Sequence, residues 1–198
     1  MVKNDNIAVL ILAAGASSRM GQPKQLLPWG ETTLLNHAIA QAKKISKNVF
    51  VVLGANQDLI KSSLTRGVIA INNPFWKMGM GTSIACGISE ILKLDEFSSV
   101  LVMLSDQPLL DSNYLTELKN LFFNSDCKIA ATVYQANKGV PAVFDHSILN
   151  QLTRLNKDYG ARRLMKEFES ELKGLEPEGN EIDIDTFETY QKLLSNSK

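Results

Sequence analysis

The sequence predicts a three-layer α/β fold around a parallel sheet. Continuous apolar runs recur at Ile7 to Leu12 (IAVLIL), Val49 to Leu53 (VFVVL) and Val100 to Leu104 (VLVML), the pattern of strands covered on both faces. Segments of helical periodicity stand between them, and that alternation implies right-handed βαβ units. The chain has 198 residues, which suits one domain, since domains usually run about 100–200 residues. A chain this long buries roughly 70% of its unfolded surface, so it folds without a disulfide or metal staple.

After the first strand comes a glycine-containing loop, then a helix. Leu34, Leu35, Ala38, Ile39, Ala42 and Ile45 form its apolar stripe, and Thr32 or Thr33 is placed to cap it. Gly54 ends the second strand, and a short helix follows over Asp58 to Leu64. Val68 to Ile71 reads as a third strand. Thr82 to Leu94 reads as a helix with Ile84, Ile88, Ile91 and Leu92 inward. Val100 to Leu104 ends in Ser-Asp-Gln-Pro, and Ser112 to Phe123 is helical. Beyond it, Ile129 to Tyr134 and Ala142 to Phe144 read as strands separated by a loop with Gly139 and Pro141. Helices are expected over Ile148 to Leu155 and Ala161 to Phe168. A Gly/Pro/Glu loop over Lys173 to Gly179 follows, then a short strand over Glu181 to Asp185 and a closing helix over Thr186 to Leu194.

Composition narrows the function classes. Lys plus Arg and Asp plus Glu each total 21, so the formal net charge is zero. A nucleic-acid binder would show a basic excess or stripe. Hydrophobic residues at 44% and charged residues at 21% are ordinary for a globular chain. No apolar run reaches the ~18 residues of a membrane span. Lys3 before the apolar stretch Ile7 to Ala16 resembles a short secretory signal, but Asp5 cancels the charge and similar runs recur downstream. Cys86 and Cys127 show no metal spacing and read as reduced thiols of a cytoplasmic protein.

Three segments carry chemistry. The loop Leu12-Ala13-Ala14-Gly15-Ala16-Ser17-Ser18-Arg19-Met20-Gly21-Gln22-Pro23-Lys24 follows a buried strand, where open α/β sheets bind ligands. Its small residues let backbone N–H groups approach an anion. Arg19 adds a forked donor and Lys24 a mobile charge, a combination suited to polyphosphate. Neither the dinucleotide fingerprint nor the Walker pattern is present. The plain alternative is a strand-to-helix turn with two solvated cations. Asp106 stands at the carboxyl end of the central strand, where a carboxylate holds Mg²⁺ or caps the turn before Pro108. In Asp183-Ile184-Asp185-Thr186, strand alternation puts Asp183 and Asp185 on one face, able to meet Asp106 across a metal. The alternative is a cap for the closing helix. Together the three suit metal-assisted phosphoryl chemistry.

Leu12-Ala13-Ala14-Gly15, Ser18-Arg19-Met20-Gly21 and Lys24-Gln25-Leu26-Leu27 resemble the opening signature of the molybdenum cofactor cytidylyltransferase and MobA-like nucleotidyltransferase family. The resemblance runs on through Asn73, Trp76, Gly79-Met80-Gly81, Ser83 and Gly87, then Asp106-Gln107-Pro108. It continues through Gly139, Pro141 and Gly160-Ala161-Arg162 to Asp183-Ile184-Asp185-Thr186. It implies a Rossmann-like nucleotidyltransferase fold with a mostly parallel mixed sheet in one domain over residues 1–198. The nucleotide would occupy the part up to about residue 110 and the acceptor the part from about residue 111. The resemblance also implies roles. Ala13, Ala14 and Gly15 line base and ribose; Arg19 and Lys24 hold the triphosphate and serve catalysis; Gly81 and Ser83 contact base or ribose; Asp106 and Asp185 bind Mg²⁺. The implied reaction is attack by the terminal phosphate of molybdopterin on the α-phosphorus of a nucleoside triphosphate. A molybdoenzyme or its chaperone is an implied partner. Ala14, where guanylyl-transferring relatives tend to carry Gly, favours CTP. Val140 and Tyr159 depart from residues common in relatives, both on the acceptor side.

Rival readings are transfer of GMP, transfer to a sugar or alcohol phosphate, and a non-catalytic cofactor carrier. A nucleotide-dependent dehydrogenase lacks its glycine spacing. His37 and His146 make a poor zinc site. Gly81-Thr82-Ser83-Ile84-Ala85 falls short of a nucleophile elbow, because Ala85 replaces the final Gly. Phe75, Trp76, Met78 and Met80 read as packing residues or as the rim of an acceptor pocket. Lys43, Lys44 and Lys47 read as a solvated helix end that suits the dipole.

Overall fold

The computed structural model describes residues 5–94, 97–135, 137–156 and 160–196. The first half runs β1 (Ile7–Leu12), a small hairpin of β2 (Pro28–Trp29) and β3 (Thr32–Thr33), α1 (Leu34–Ile45), β4 (Val49–Leu53), α2 (Gln57–Ser63), β5 (Ile69–Asn72), α3 (Met80–Leu92) and β6 (Ser99–Leu104). The second half runs α4 (Ser112–Phe123), β7 (Ile129–Tyr134), β8 (Asn137–Asp145), α5 (His146–Leu152), α6 (Arg162–Glu167), β9 (Leu172–Leu175) and α7 (Phe187–Asn196).

The main sheet has the order β5-β4-β1-β6-β8-β7-β9. The first four of these strands are mutually parallel, and β9 joins β7 in parallel. Only β8 is antiparallel to its neighbours, β6 and β7. The expected mostly parallel mixed sheet is present.

Successive residues of a strand face opposite sides. Ala8, Leu10 and Leu12 of β1 therefore pack under Ile84, Ile88 and Ile91 of α3 and Ile148 and Leu149 of α5. Val9 and Ile11 pack on the other side under Leu35 and Ile39 of α1 and Leu118 and Phe122 of α4. Both layers reach full burial, which is why β1 reads as an unbroken apolar run. Gly87 lets α3 settle onto β1 and β4. A Cβ there would stand 2.5 Å from Leu10 Cδ1 and 2.9 Å from Val52 Cγ2.

A third apolar cluster ties the chain end to the first loop region. Ile184, Tyr190 and Leu193 pack with Leu27, Trp29 and Leu34. Tyr190 Oη donates to the Pro28 carbonyl at 2.7 Å. Thr33 caps α1, accepting from Asn36 N at 3.3 Å.

Several expectations shift. Gly139 and Pro141 lie inside β8, not in a loop. The β7–β8 register slips between Ala131 and Thr132, so Val140 and Pro141 form a bulge. A proline is tolerated there because its missing N–H costs no ladder bond. Residues 172–175, expected as loop from Lys173 onward, form β9. Gly174 permits it, since a Cβ would stand 2.6 Å from Val133 Cγ2. Residues 181–185 form no ladder strand, yet alternation persists because Ile184 is buried. The β2–β3 hairpin was not expected; its strands are too short to show a period. The helix expected over 148–155 spans 146–152. Tyr159 and Lys3 lie outside the described residues.

Candidate active site

The loop after β1 is pinned from within. Ser17 takes a left-handed conformation (φ 53°), as does Gly21 (φ 66°), on either side of a short 3-10 turn at Ser18–Met20. The Lys24 amide donates to Ser17 Oγ at 3.0 Å. Gln25, 1% exposed, donates from Nε2 to the carbonyls of Ala13 (3.0 Å) and Gly15 (2.9 Å). One buried amide thus fixes the loop's return path. A Cβ on Gly15 would meet nothing within 4 Å, so its absence leaves open space beside the backbone.

Beneath this loop lies a cleft of about 580 Å³ between the ends of β1 and β6 and the start of α3. Ala13, Ala14, Gly15, Arg19, Lys24, Ser83, Asp106, Asp183 and Asp185 all line it. Ser83 Oγ accepts from the buried Asn73 Nδ2 at 3.0 Å. Gly81 is buried in the first turn of α3 and is not among the lining residues.

Lys24 sits among the carboxylates. Its Nζ contacts Asp106 Oδ2 and lies 3.0 Å from Asp185 Oδ1. Arg19 Nη1 reaches the other oxygen, Asp185 Oδ2, at 3.2 Å. Burial works against the Lys24 ammonium, but the two carboxylates outweigh it and hold its pKa above the usual value. The hydrogen bond from Lys24 holds the Asp185 carboxyl below its usual range, with Arg19 assisting. Burial pushes the Asp183 carboxyl up to about 6, and the neighbouring Asp106 charge adds to this. Asp183 and Asp185 reach the site because Ile184 anchors the segment. The Ile184 side chain is buried and its amide donates to the Asp106 carbonyl at 2.9 Å.

Asp106 and Asp185 could offer carboxylate oxygens to a divalent cation, in the cleft that Asp183 also lines. Among the described residues no group of three or more His, Cys, Asp or Glu is placed to hold a metal. Two carboxylates suit Mg²⁺, which keeps several waters and binds substrate phosphates beside protein oxygens.

A second cavity of about 280 Å³ adjoins the cleft, sharing Met80, Leu104 and Asp183 with it. Gln107, 5% exposed, forms part of its wall. Its Nε2 donates to Tyr134 Oη and to Asp183 Oδ1, both at 2.9 Å. Tyr134 Oη spends its own proton on the Val140 carbonyl. Gln107 Oε1 is buried without a partner among the described residues.

The motif reading missed two positioning residues, Gln25 and Gln107. Both stood inside quoted segments, but a glutamine gives no sequence signal of which carbonyl it will meet. Gly54 was read only as a strand end. A Cβ there would stand 2.6 Å from Trp76 Cβ and 2.8 Å from the Ala14 carbonyl, so it also lets Trp76 close the cleft wall. Trp76 and Met80 line the cleft, whereas Phe75 and Met78 are exposed outside it. His37 Nε2 bonds to the Pro108 carbonyl (3.2 Å) and His146 Nδ1 to the Phe97 carbonyl (2.8 Å), both as structural links. Ser83 lies within α3, so no nucleophile elbow exists there.

Comparison with known proteins bears on the family and the fold. Over residues 9–173 the chain matches the model of the MobA-like NTP transferase domain. It is 32% identical over 87 residues to the molybdenum cofactor cytidylyltransferase of Escherichia coli K12, spanning 43% of this chain and 45% of that protein. It is 29% identical over 119 residues to the bifunctional protein GlmU of Hydrogenovibrio crunogenus, spanning 59% of this chain and 26% of that protein. The matched segments therefore span less than half of these relatives. Among solved structures, a nucleotidyl transferase from Methanothermobacter superposes with a TM-score of 0.81 at 18% identity, covering 98% of each chain. The Mycobacterium sp. strain JC1 homologue of Rv0371c superposes with a TM-score of 0.78 at 24% identity, covering 98% of this chain and 97% of that one. The sheet order, the pinned loop and the match across residues 9–173 converge on one assignment: the chain belongs to the MobA-like NTP transferase family.

Proposed function

We propose that this nucleotidyltransferase moves CMP from CTP to the terminal phosphate of molybdopterin and releases pyrophosphate. The observation that carries the reading is Lys24 held between Asp106 and Asp185, three residues from distant parts of the chain meeting at one cleft. On this reading the nucleotide occupies the part up to about residue 110 and the acceptor the part beyond, with Asp183 and Asp185 returning to the junction.

An acceptor phosphate oxygen bonds to the α-phosphorus. The bond from that phosphorus to the bridging oxygen breaks, and pyrophosphate leaves with the electron pair. Ala13, Ala14 and Gly15 face the base and ribose through backbone. Ser83 lines the same cleft, and Gly81 is buried in the first turn of α3 beside it. Arg19 and Lys24 neutralise the triphosphate, and such preorganised charge favours the transition state. Asp106 and Asp185 would hold Mg²⁺, which when bound supplies further neutralisation of the phosphates. No covalent enzyme intermediate is required.

The Escherichia coli relative's name supports both base and acceptor. A manganese complex of Rv0371c supports a divalent ion. Ala14 in place of Gly favours CTP over GTP. Two reduced thiols, Cys86 and Cys127, suit the cytoplasm.

The test incubates the protein with Mg²⁺, purified molybdopterin and each of four nucleoside triphosphates, and measures pyrophosphate and product mass. CTP-dependent pyrophosphate with a cytidylylated product is expected. GTP-dependent product moves the base assignment. Product only with a sugar or alcohol phosphate moves the acceptor. No pyrophosphate under any combination favours a carrier.

A further inference from the structure

The Gly160-Ala161-Arg162 motif has no part in the chemistry above, yet it borders the second cavity. Gly160 is left-handed (φ 53°) and packs against Met80, where a Cβ would stand 3.3 Å from Sδ. Ala161 is buried. These two residues seat the start of α6 against the cavity and leave Arg162 exposed at its lip.

Arg162 is the one cationic side chain among the described residues that line this cavity. No carboxylate pairs with it among the described residues. Its neighbour Arg163 is tied to Glu167 at 3.0 Å, and Lys138 is tied to Glu169. Arg162 also lines an adjoining groove with Lys138, Lys166 and Glu169, where Glu169 is paired to Lys138 and the two remaining cations outnumber the carboxylates of that lining. The cavity's other charged wall is Asp183, next to Asp106 and Asp185. A dianionic phosphate approaching three carboxylates is repelled unless a cation faces it. Arg19 and Lys24 are committed to those carboxylates and to the nucleotide.

We propose that Arg162 is the binding residue for the acceptor's phosphate and selects phosphomonoesters over hydroxyl acceptors. The planar guanidinium offers two parallel donors that match phosphate oxygens, which a lysine does not. This inference rests on the nucleotidyl-transfer reading, but it does not require that the acceptor be molybdopterin.

The test is calorimetric titration into protein saturated with Mg²⁺ and a non-hydrolysable CTP analogue, using inorganic phosphate and then molybdopterin as probes. Arg162→Ala is expected to weaken both about ten- to a hundredfold, the span of one charge-assisted contact. Arg162→Lys should fall between, and Arg163→Ala should match the wild type. Affinity for the CTP analogue should be unchanged in all three, which also reports that each variant is folded. Arg162→Gln serves if the alanine variant fails that check. Equal phosphate affinity in wild type and Arg162→Ala overturns the proposal. So does a wild type that binds the CTP analogue but neither probe. Phosphate held through Arg162 while molybdopterin is ignored keeps Arg162 and overturns the acceptor named above.

Discussion

On the side of the cleft proposed to take the nucleotide, polar groups are paired with one another. Gln25 holds two loop carbonyls, Ser17 receives the Lys24 amide, and Lys24 and Arg19 are matched to Asp106 and Asp185. On the side proposed to take the acceptor the walls keep unspent capacity. Among the described residues Gln107 Oε1 has no partner, and Arg162 faces the opening without a carboxylate. The first arrangement is a fixed mould, where donors cost little to reorganise during reaction. The second is completed by its ligand.

The largest effect should come from removing the carboxylate at the junction. Asp106→Ala should lower turnover by about a hundred- to a thousandfold, on the scale of losing charge stabilisation at a reacting centre. The fold should survive, because the Asp106 backbone carbonyl still receives the Ile184 amide. Steady-state kinetics with a thermal melt checks both halves. A variant retaining a tenth of wild-type turnover breaks the assigned chemistry.

The mould itself is tested at Gln25. Gln25→Ala leaves the Ala13 and Gly15 carbonyls without their donor, and an unpaired buried polar group costs about 1–3 kcal/mol. Urea unfolding should show a loss of that order. The KM for CTP should rise, with little change in acceptor affinity. A rise for both substrates alike would mean that the two sides are not separately organised.

These residues differ in how far the sequence exposed them. The strands β1, β4 and β6 were legible because burial on both faces writes an unbroken apolar run. The loop residues Arg19 and Lys24 were legible because they stand seven and twelve positions after such a strand, in the loop that leaves its carboxyl end. Asp183 and Asp185 were found through alternation, although the segment is no strand. The actual cause is Ile184 packing against Trp29 and Tyr190, contacts that no local pattern announces. Residues 137–141 were misread because Gly139 and Pro141 are loop signals, and only the slipped register admits them to β8. Gln107 and Arg162 were visible as motif letters, but their roles depend on which cavity they border.

The smallest effect concerns Asp183, between the two sides. Its folded carboxyl titrates near 6, above the unfolded value of about 4. The folded protein therefore holds that proton more tightly. Stability from this group is greatest below about pH 4 and falls as pH rises to about 6, because the unfolded chain ionises first. Asp185 acts oppositely, with its stabilisation lost as pH falls below about 4. Urea midpoints at pH 4, 5 and 7 without nucleotide should decline less with pH in Asp183→Asn than in wild type. Identical pH profiles would contradict the raised pKa.

The most direct measurement is the melting temperature with CTP, GTP, UTP and ATP, each with and without Mg²⁺, in wild type and Asp106→Ala. Ligand at 100 times its Kd adds about 2.7 kcal/mol, or roughly 5–10 °C for a chain of this length. A shift of that size is expected with CTP, requiring Mg²⁺ and absent in Asp106→Ala. No shift with any nucleotide, or a CTP shift indifferent to Mg²⁺ and to Asp106, would contradict the cleft as a metal-assisted nucleotide site.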